Sequence, residues 1–163
     1  MLRPYMPQYE IAIFDMLMHL LKPRRVLEYG AGGSTVRWSQ CPSVEEWWTV
    51  EHTAEWFEET ERALRGLTVY PPVKFHLPWL IPEDSSEYVM APARDDPFDL
   101  IFVDGIHRVE CVRASHQFLA PGGVVVLHDV RQNDHEGCWD EYPYKVILGE
   151  GDAQHNGFLV MWK

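Results

Sequence analysis

A chain of 163 residues is close to the size of one ordinary domain and leaves little room for a second core. Apolar residues make up 46% and charged ones 24%, the balance of a soluble globular protein, and a formal net charge of −11 repels phosphate backbones and anionic membranes. Neither nucleic acid nor a membrane is therefore expected as a partner, since the only compact basic cluster is Lys22, Arg24 and Arg25.

In chain order, Ile11, Phe14, Met18 and Leu21 recur at helical spacing from Gln8 to Leu21, and Pro23 supplies a stop, which predicts an opening helix. The apolar run is short and interrupted by Asp15 and His19, so it neither spans a bilayer nor resembles a cleavable signal. Its further apolar residues Ile13, Met16, Leu17 and Leu20 are assigned to the core, with part of that surface available to a homodimer. Arg25 to Tyr29 reads as a strand, followed by a glycine-rich turn and a brief helix ending before Pro42. Glu46 to Glu51 is aromatic and β-branched, and Thr53 can cap a helix from Ala54 to Arg65 that Gly66 ends. The acidic face of that helix, Glu55, Glu58, Glu59 and Glu61, reads as solvated surface.

Val73 to Leu77 and Phe98 to Val103 are the next strands, the second carrying in Leu100-Ile101-Phe102-Val103 a continuous apolar run of the kind buried on both faces. A helix from Val109 to Leu119 follows. Pro121-Gly122-Gly123 then turns the chain into a strand from Val124 to Leu127, and Lys145 to Leu148 with Phe158 to Trp162 form a terminal hairpin. Strands alternating with helices predict a single α/β domain: one doubly wound, mainly parallel sheet with helices on both faces and an antiparallel hairpin at its carboxyl-terminal end. Two irregular stretches, Pro78 to Pro97 and Arg131 to Tyr144, follow strands and are candidate substrate loops at the sheet edge where open α/β folds bind ligands. Cys41, Cys111 and Cys138 lack the spacing of a zinc site or disulfide framework, and a cytoplasmic location fits them.

The chemistry concentrates in Val26-Leu27-Glu28-Tyr29-Gly30-Ala31-Gly32-Gly33-Ser34-Thr35. Glycines between a first strand and a helix let the backbone approach a ligand. A dinucleotide fingerprint would place a third glycine where Thr35 stands, which counts against an NAD-linked oxidoreductase. Glu51 ends the second predicted strand about twenty residues further on, where a carboxylate can accept hydrogen bonds from both ribose hydroxyls.

This segment resembles the first motif of the class I S-adenosylmethionine-dependent methyltransferases, an acidic-x-Gly-x-Gly pattern. Phe98-Asp99-Leu100-Ile101-Phe102-Val103-Asp104-Gly105-Ile106-His107 is similar to the fourth-strand motif of the family's small-molecule branch, and Pro121-Gly122-Gly123 stands before the fifth strand as it does there. The resemblance runs from about Val26 to Val130 and implies a Rossmann-like fold with S-adenosylmethionine as cofactor. It implies cofactor contacts from Glu28, Gly30 and Gly32, with the neighbouring Ala31 and Ser34, and from Glu51 and His52 at the ribose. Glu28 is expected to reach, often through water, toward the ammonium end of the methionine moiety. Many relatives place an acid after the third strand for the adenine amino group, but here Pro78-Trp79 stands in its place, so the adenine contacts are not assigned.

Methyl transfer is an in-line displacement, so the protein must hold the nucleophile against the sulfonium methyl and, for a hydroxyl, remove its proton. Asp104 and His107 follow one predicted strand and His128-Asp129 its neighbour, which gathers them at one edge of the sheet. Asp104, His107 and His128 are the catalytic candidates, with a histidine as general base. A divalent metal held by Asp104 and Asp129 is the second reading, less favoured because catechol-type relatives have Asp-Asn where this chain has His128-Asp129. His116, His135 and His155 are assigned to packing or solvent. The expected reaction is methylation of a hydroxyl, before an amine, of a small metabolite or sugar. A non-catalytic cofactor-binding module is the alternative.

Overall fold

Three runs of β-branched and aromatic residues make the centre of the sheet: β1 (Arg25–Tyr29), β4 (Phe98–Val103) and β5 (Leu119–His128). In this computed structural model, residues 2–68, 71–76, 86–92, 96–130, 135, 137–149 and 157–163 are described. With β2 (Glu46–Val50), β3 (Val73–His76), β6 (Tyr144–Leu148) and β7 (Phe158–Trp162), they form one seven-stranded sheet in the order β3-β2-β1-β4-β5-β7-β6. The first five strands are parallel, and β7 runs antiparallel between β5 and β6. The chain reverses direction across the sheet between β1 and β4, and such a switch point opens a crevice at the carboxyl ends of the strands. Mixed α/β class, parallel core and terminal hairpin all agree with the expectation from sequence.

Among the described residues, five helices pack around this sheet: α1 (Gln8–Leu21), α2 (Gly33–Trp38), α3 (Ala54–Arg65), the single turn α4 (Ser86–Val89) and α5 (Arg108–Phe118). On one face, Phe14, Leu17 and Met18 of α1 and Trp38 of α2 meet Val26, Leu100, Phe102, Val126 and Phe158. On the other, Cys111, Val112 and Phe118 of α5 and Tyr88 of α4 meet Leu27, Ile101, Val103, Val125 and Leu127. Strands covered on both faces explain why β4 and β5 read as unbroken apolar runs. No helix among the described residues is long and apolar enough to cross a membrane.

Several details differ from the sequence reading: Thr53 makes no side-chain cap bond at α3, α4 lies within the stretch from Pro78 to Pro97, and β6 begins at Tyr144. The buried face of α1 is Glu10, Phe14, Leu17 and Met18 rather than Ile11, Phe14, Met18 and Leu21, while Met16 and Leu20 are exposed. Helix α5 begins at Arg108, one residue early. Strand β5 begins at Leu119, because Pro121-Gly122-Gly123 is absorbed as an irregularity within it: Phe98 pairs with Leu119, but Leu100 already pairs with Val124, and Gly122 has φ +78°. Leu77, Trp79 and His155 lie outside the described residues, as does most of the first candidate loop.

Phe14 is the central anchor of the α1 face. It is fully buried, with its ring centroid 4.2 Å from Trp38, 4.6 Å from Phe102 and 5.7 Å from Phe158. Phe14→Ala should lower the unfolding free energy by about 3–5 kcal/mol, read from urea unfolding. A loss below about 1 kcal/mol would mean that α1 is not docked as described.

Candidate active site

The glycine loop is shaped by contacts on both sides. Gly30, at φ +102°, lies so close to the loop leaving β4 that a Cβ would come within 2.8 Å of the Gly105 backbone. Gly33 leaves no room for a Cβ either, because the backbone of Arg3 and Pro4 lies directly on it. A Cβ on Gly32 would meet no protein atom within 4 Å, and Gly32 lines a cavity of about 730 Å³, within the size range of small-molecule sites. Residues 3–7, which run over the loop at Gly33, and Glu10 form a further wall of this cavity.

Glu28 lies beneath the loop and does not line the cavity. Its carboxyl accepts hydrogen bonds from the Ser34 hydroxyl, the Thr35 hydroxyl (2.6 Å) and the Trp47 indole N–H (2.8 Å), while Thr35 Oγ1 accepts the Gly32 N–H (3.0 Å). Burial pushes the Glu28 carboxyl up to about 8 in spite of those three donors. The structure therefore gives Glu28 the task of fixing the loop from below. Ser34 belongs to both regions, bonding Glu28 and lining the cavity.

Glu51, at the end of β2, faces the cavity from the other wall with its carboxylate already oriented. Oε2 accepts the Ala31 N–H (2.8 Å), and Oε1 accepts the N–H groups of His52 (2.8 Å) and Thr53 (2.7 Å). His52 and Trp56 line the same cavity. Gly30, Ala31, Gly32, Ser34, Glu51 and His52 thus line one cavity.

Across the crevice, His128 is held between two carboxylates. Its Nδ1 is 2.8 Å from Asp104 Oδ1 and its Nε2 is 2.9 Å from Glu10 Oε2. Burial acts to lower the imidazole pKa, but the bond to and charge of Asp104, the charge of Asp129 and the bond to Glu10 outweigh it and raise the value to about 9. An imidazolium with both nitrogens engaged is a poor base at neutral pH, so here His128 acts as a fixed positive charge. His107, in the left-handed region at φ 51°, sits outside the cavity lining with its ring 6.3 Å from that of Tyr88. His135 is buried, with Nδ1 3.2 Å from the Asp129 carbonyl oxygen, and the ring of His116 is 5.7 Å from that of Tyr142.

Two site residues escaped the sequence reading. Glu10 is the lone acid on the buried face of α1, and Arg108 opens α5, where the helix dipole disfavours a cation. Both departures were visible as misplaced charges. Arg108 donates to Asp129 Oδ2 (2.9 Å) and lies 3.3 Å from Asp104 Oδ1. Asp104, His128 and Asp129 each offer a ligand atom, all within 4.8 Å of one another, but Asp104 Oδ1, Asp129 Oδ2 and both His128 nitrogens are already engaged by Arg108, by Glu10 or by each other. The donor set as it stands does not fit a divalent metal.

Two outcomes test these assignments. Glu28→Gln should stay within about 1 kcal/mol of the parent near neutral pH, whereas Glu28→Ala, which orphans three donors, should cost about 2–4 kcal/mol in urea unfolding. For His128, a folded pKa above the unfolded value means stabilisation that is complete below about pH 6.5 and is lost as pH rises through about 9. The advantage of the parent over His128→Gln in unfolding midpoint should therefore shrink between pH 6.5 and 9, while the imidazole Cε1–H resonance keeps its protonated position through neutral pH.

A profile of the family described as "Methyltransferase domain" matches residues 27–130, the span from β1 to the end of β5. No curated protein matches the sequence. Among solved structures, the chain is similar to an O-methyltransferase from Bacillus cereus in complex with S-adenosylhomocysteine (15% identity, 95% of this chain and 80% of that one, TM-score 0.76). It is also similar to the S-adenosylhomocysteine-bound methyltransferase PaMTH1 of Podospora anserina (19%, 96% and 79%, 0.71). A third is the O-methyltransferase TomG of Streptomyces achromogenes, involved in tomaymycin synthesis and solved with S-adenosylmethionine (20%, 91% and 76%, 0.66). These likenesses concern the fold, whereas the matched profile covers well over half of the sequence: the chain belongs to the methyltransferase-domain family.

Proposed function

We propose that the protein binds S-adenosylmethionine in the cavity between the glycine loop and the carboxyl ends of β4 and β5, and transfers its methyl group to an oxygen of a small-molecule acceptor. The observation that carries this reading is the convergence on one cavity of the Gly30–Ser34 loop, the Glu51 carboxylate and Asp104. Bound there, the cofactor supplies an electrophilic sulfonium methyl. Glu51 takes the ribose hydroxyls, its carboxylate held by three backbone N–H groups; His52 and Trp56, just beyond it on the same wall, flank the base. The loop backbone borders the methionine end, and a side chain at Gly32 would fill that space.

Asp104 is the residue to which an acceptor hydroxyl gives its proton. Its Oδ1 is tied to His128 and Arg108, and the carboxyl group lines the cavity. His128 is a positioning residue: its Nδ1, 2.8 Å from Asp104 Oδ1, fixes the Asp104 rotamer. Residues 3–7 cover part of the cavity beside the glycine loop, and a site of this size suits a hydroxyl of a small metabolite or sugar rather than a macromolecular acceptor.

Calorimetric titration with S-adenosylhomocysteine, S-adenosylmethionine and NAD checks the cofactor class. The first two should bind at one equivalent and NAD should not. Glu51→Ala should weaken S-adenosylhomocysteine binding about 10–100-fold, the value of one or two charge-assisted hydrogen bonds. Binding of NAD alone would overturn the reading.

A further inference from the structure

We infer that Arg108 is the resident cation of this site, occupying the place between Asp104 and Asp129 that a divalent metal would need, so that ligand binding here is independent of metal. The guanidinium is engaged on every side. Nε donates to the Gly105 carbonyl oxygen (2.9 Å), Nη1 to the His128 carbonyl oxygen (3.0 Å) and Asp129 Oδ2 (2.9 Å), and Nη2 to the Asp104 carbonyl oxygen (3.0 Å), with Asp104 Oδ1 at 3.3 Å. Five oxygens therefore surround its five N–H groups.

Carboxylates and backbone carbonyls are also the ligands that magnesium and calcium take, but those ions require the oxygens about 2.0–2.6 Å from a single point. Here the same oxygens are spread around a planar fork. A metal could collect them only by expelling Arg108, whose side chain is 16% exposed and packed at the start of α5. If Arg108 stayed, a divalent ion held by the same carboxylates would lie beside the guanidinium, a repulsion of like charges that grows with the charge of the ion.

Position on the helix supports the assignment. An arginine at the first residue of a helix works against the macrodipole, and Arg108 holds that position because two strand-end carboxylates face it. Its role is therefore positioning: it sets the separation and orientation of Asp104 and Asp129 through the carbonyl ends of β4 and β5, and leaves Asp104 to act toward the cavity as a carboxylate rather than as a metal ligand.

The test is manganese binding, followed by the loss of the free-ion electron paramagnetic resonance signal and by calorimetry, with Arg108→Ala, Arg108→Lys and Asp129→Asn beside the parent. The parent should take up no manganese at millimolar concentrations. Arg108→Ala should take up one equivalent, at least about tenfold more tightly than the parent, and Arg108→Lys, which restores one positive charge, should suppress that uptake. A merely structural arginine would not produce this pattern. Stoichiometric binding by the parent that Asp129→Asn abolishes would overturn the inference, as would a folded Arg108→Ala that binds none; should Arg108→Ala fail to fold, the parent titration decides. S-adenosylhomocysteine affinity unchanged between magnesium and a chelator would agree with the inference, but its absence altogether would count against the proposed function, not against the cation.

Discussion

The walls of the cavity are held by three buried carboxyl groups, Glu10, Glu28 and Glu51, and by the half-buried Asp104. Glu28 clamps the glycine loop to β2 through Ser34, Thr35 and Trp47, Glu51 fixes the backbone of Ala31, His52 and Thr53, and Glu10 with Asp104 pins His128. A buried acid without donors is costly, and each of these has two or more. The geometry of the site is thus set by where donors are placed around acids, and the sheet is the frame that brings those donors to the carboxyl ends of its strands.

An imidazole engaged at both nitrogens and a guanidinium beside Asp104 describe a site in which opposite charges are paired before any ligand enters. Preorganised charge of this kind does not need to reorganise when a reaction develops charge, which is the condition for electrostatic stabilisation in a partly enclosed cavity. It also accounts for the departures from the catechol-type pattern. His128 stands where an acid would serve a metal, and its ring instead links Asp104 to α1.

Much of the fold was legible because its cues are local. Continuous apolar runs gave β4 and β5, Pro23 and Gly66 marked helix ends, and the glycine loop with an acid about twenty residues on located the cavity's two main walls. What was not legible depended on partners distant in sequence. The buried face of α1 was displaced because periodicity counts apolar residues, and Glu10 counts as polar although it is buried against His128, 118 residues away. Strand β5 was shortened because Pro121-Gly122-Gly123 signals a turn, and only pairing with Phe98 shows that the sheet continues through it. Histidine clustering pointed to the right edge of the sheet, but proton affinity belongs to the surroundings. His128 and His107, alike in sequence, differ because one lies between carboxylates and the other against Tyr88.

Glu10 carries one more consequence. One of its oxygens meets His128, and the other accepts the N–H of Gly157 (3.0 Å), just before β7. Both Glu10 and Gly157 lie outside residues 27–130, the span by which the family is known. A fragment trimmed to that span would keep the glycine loop, Glu51 and Asp104, yet His128 would lose one of its two anchors and β5 would lose the strand beside it. Boundaries drawn from family likeness therefore enclose the part that resembles its relatives and cut away the brace that makes the site rigid, so the smallest recognisable piece is smaller than the smallest working one.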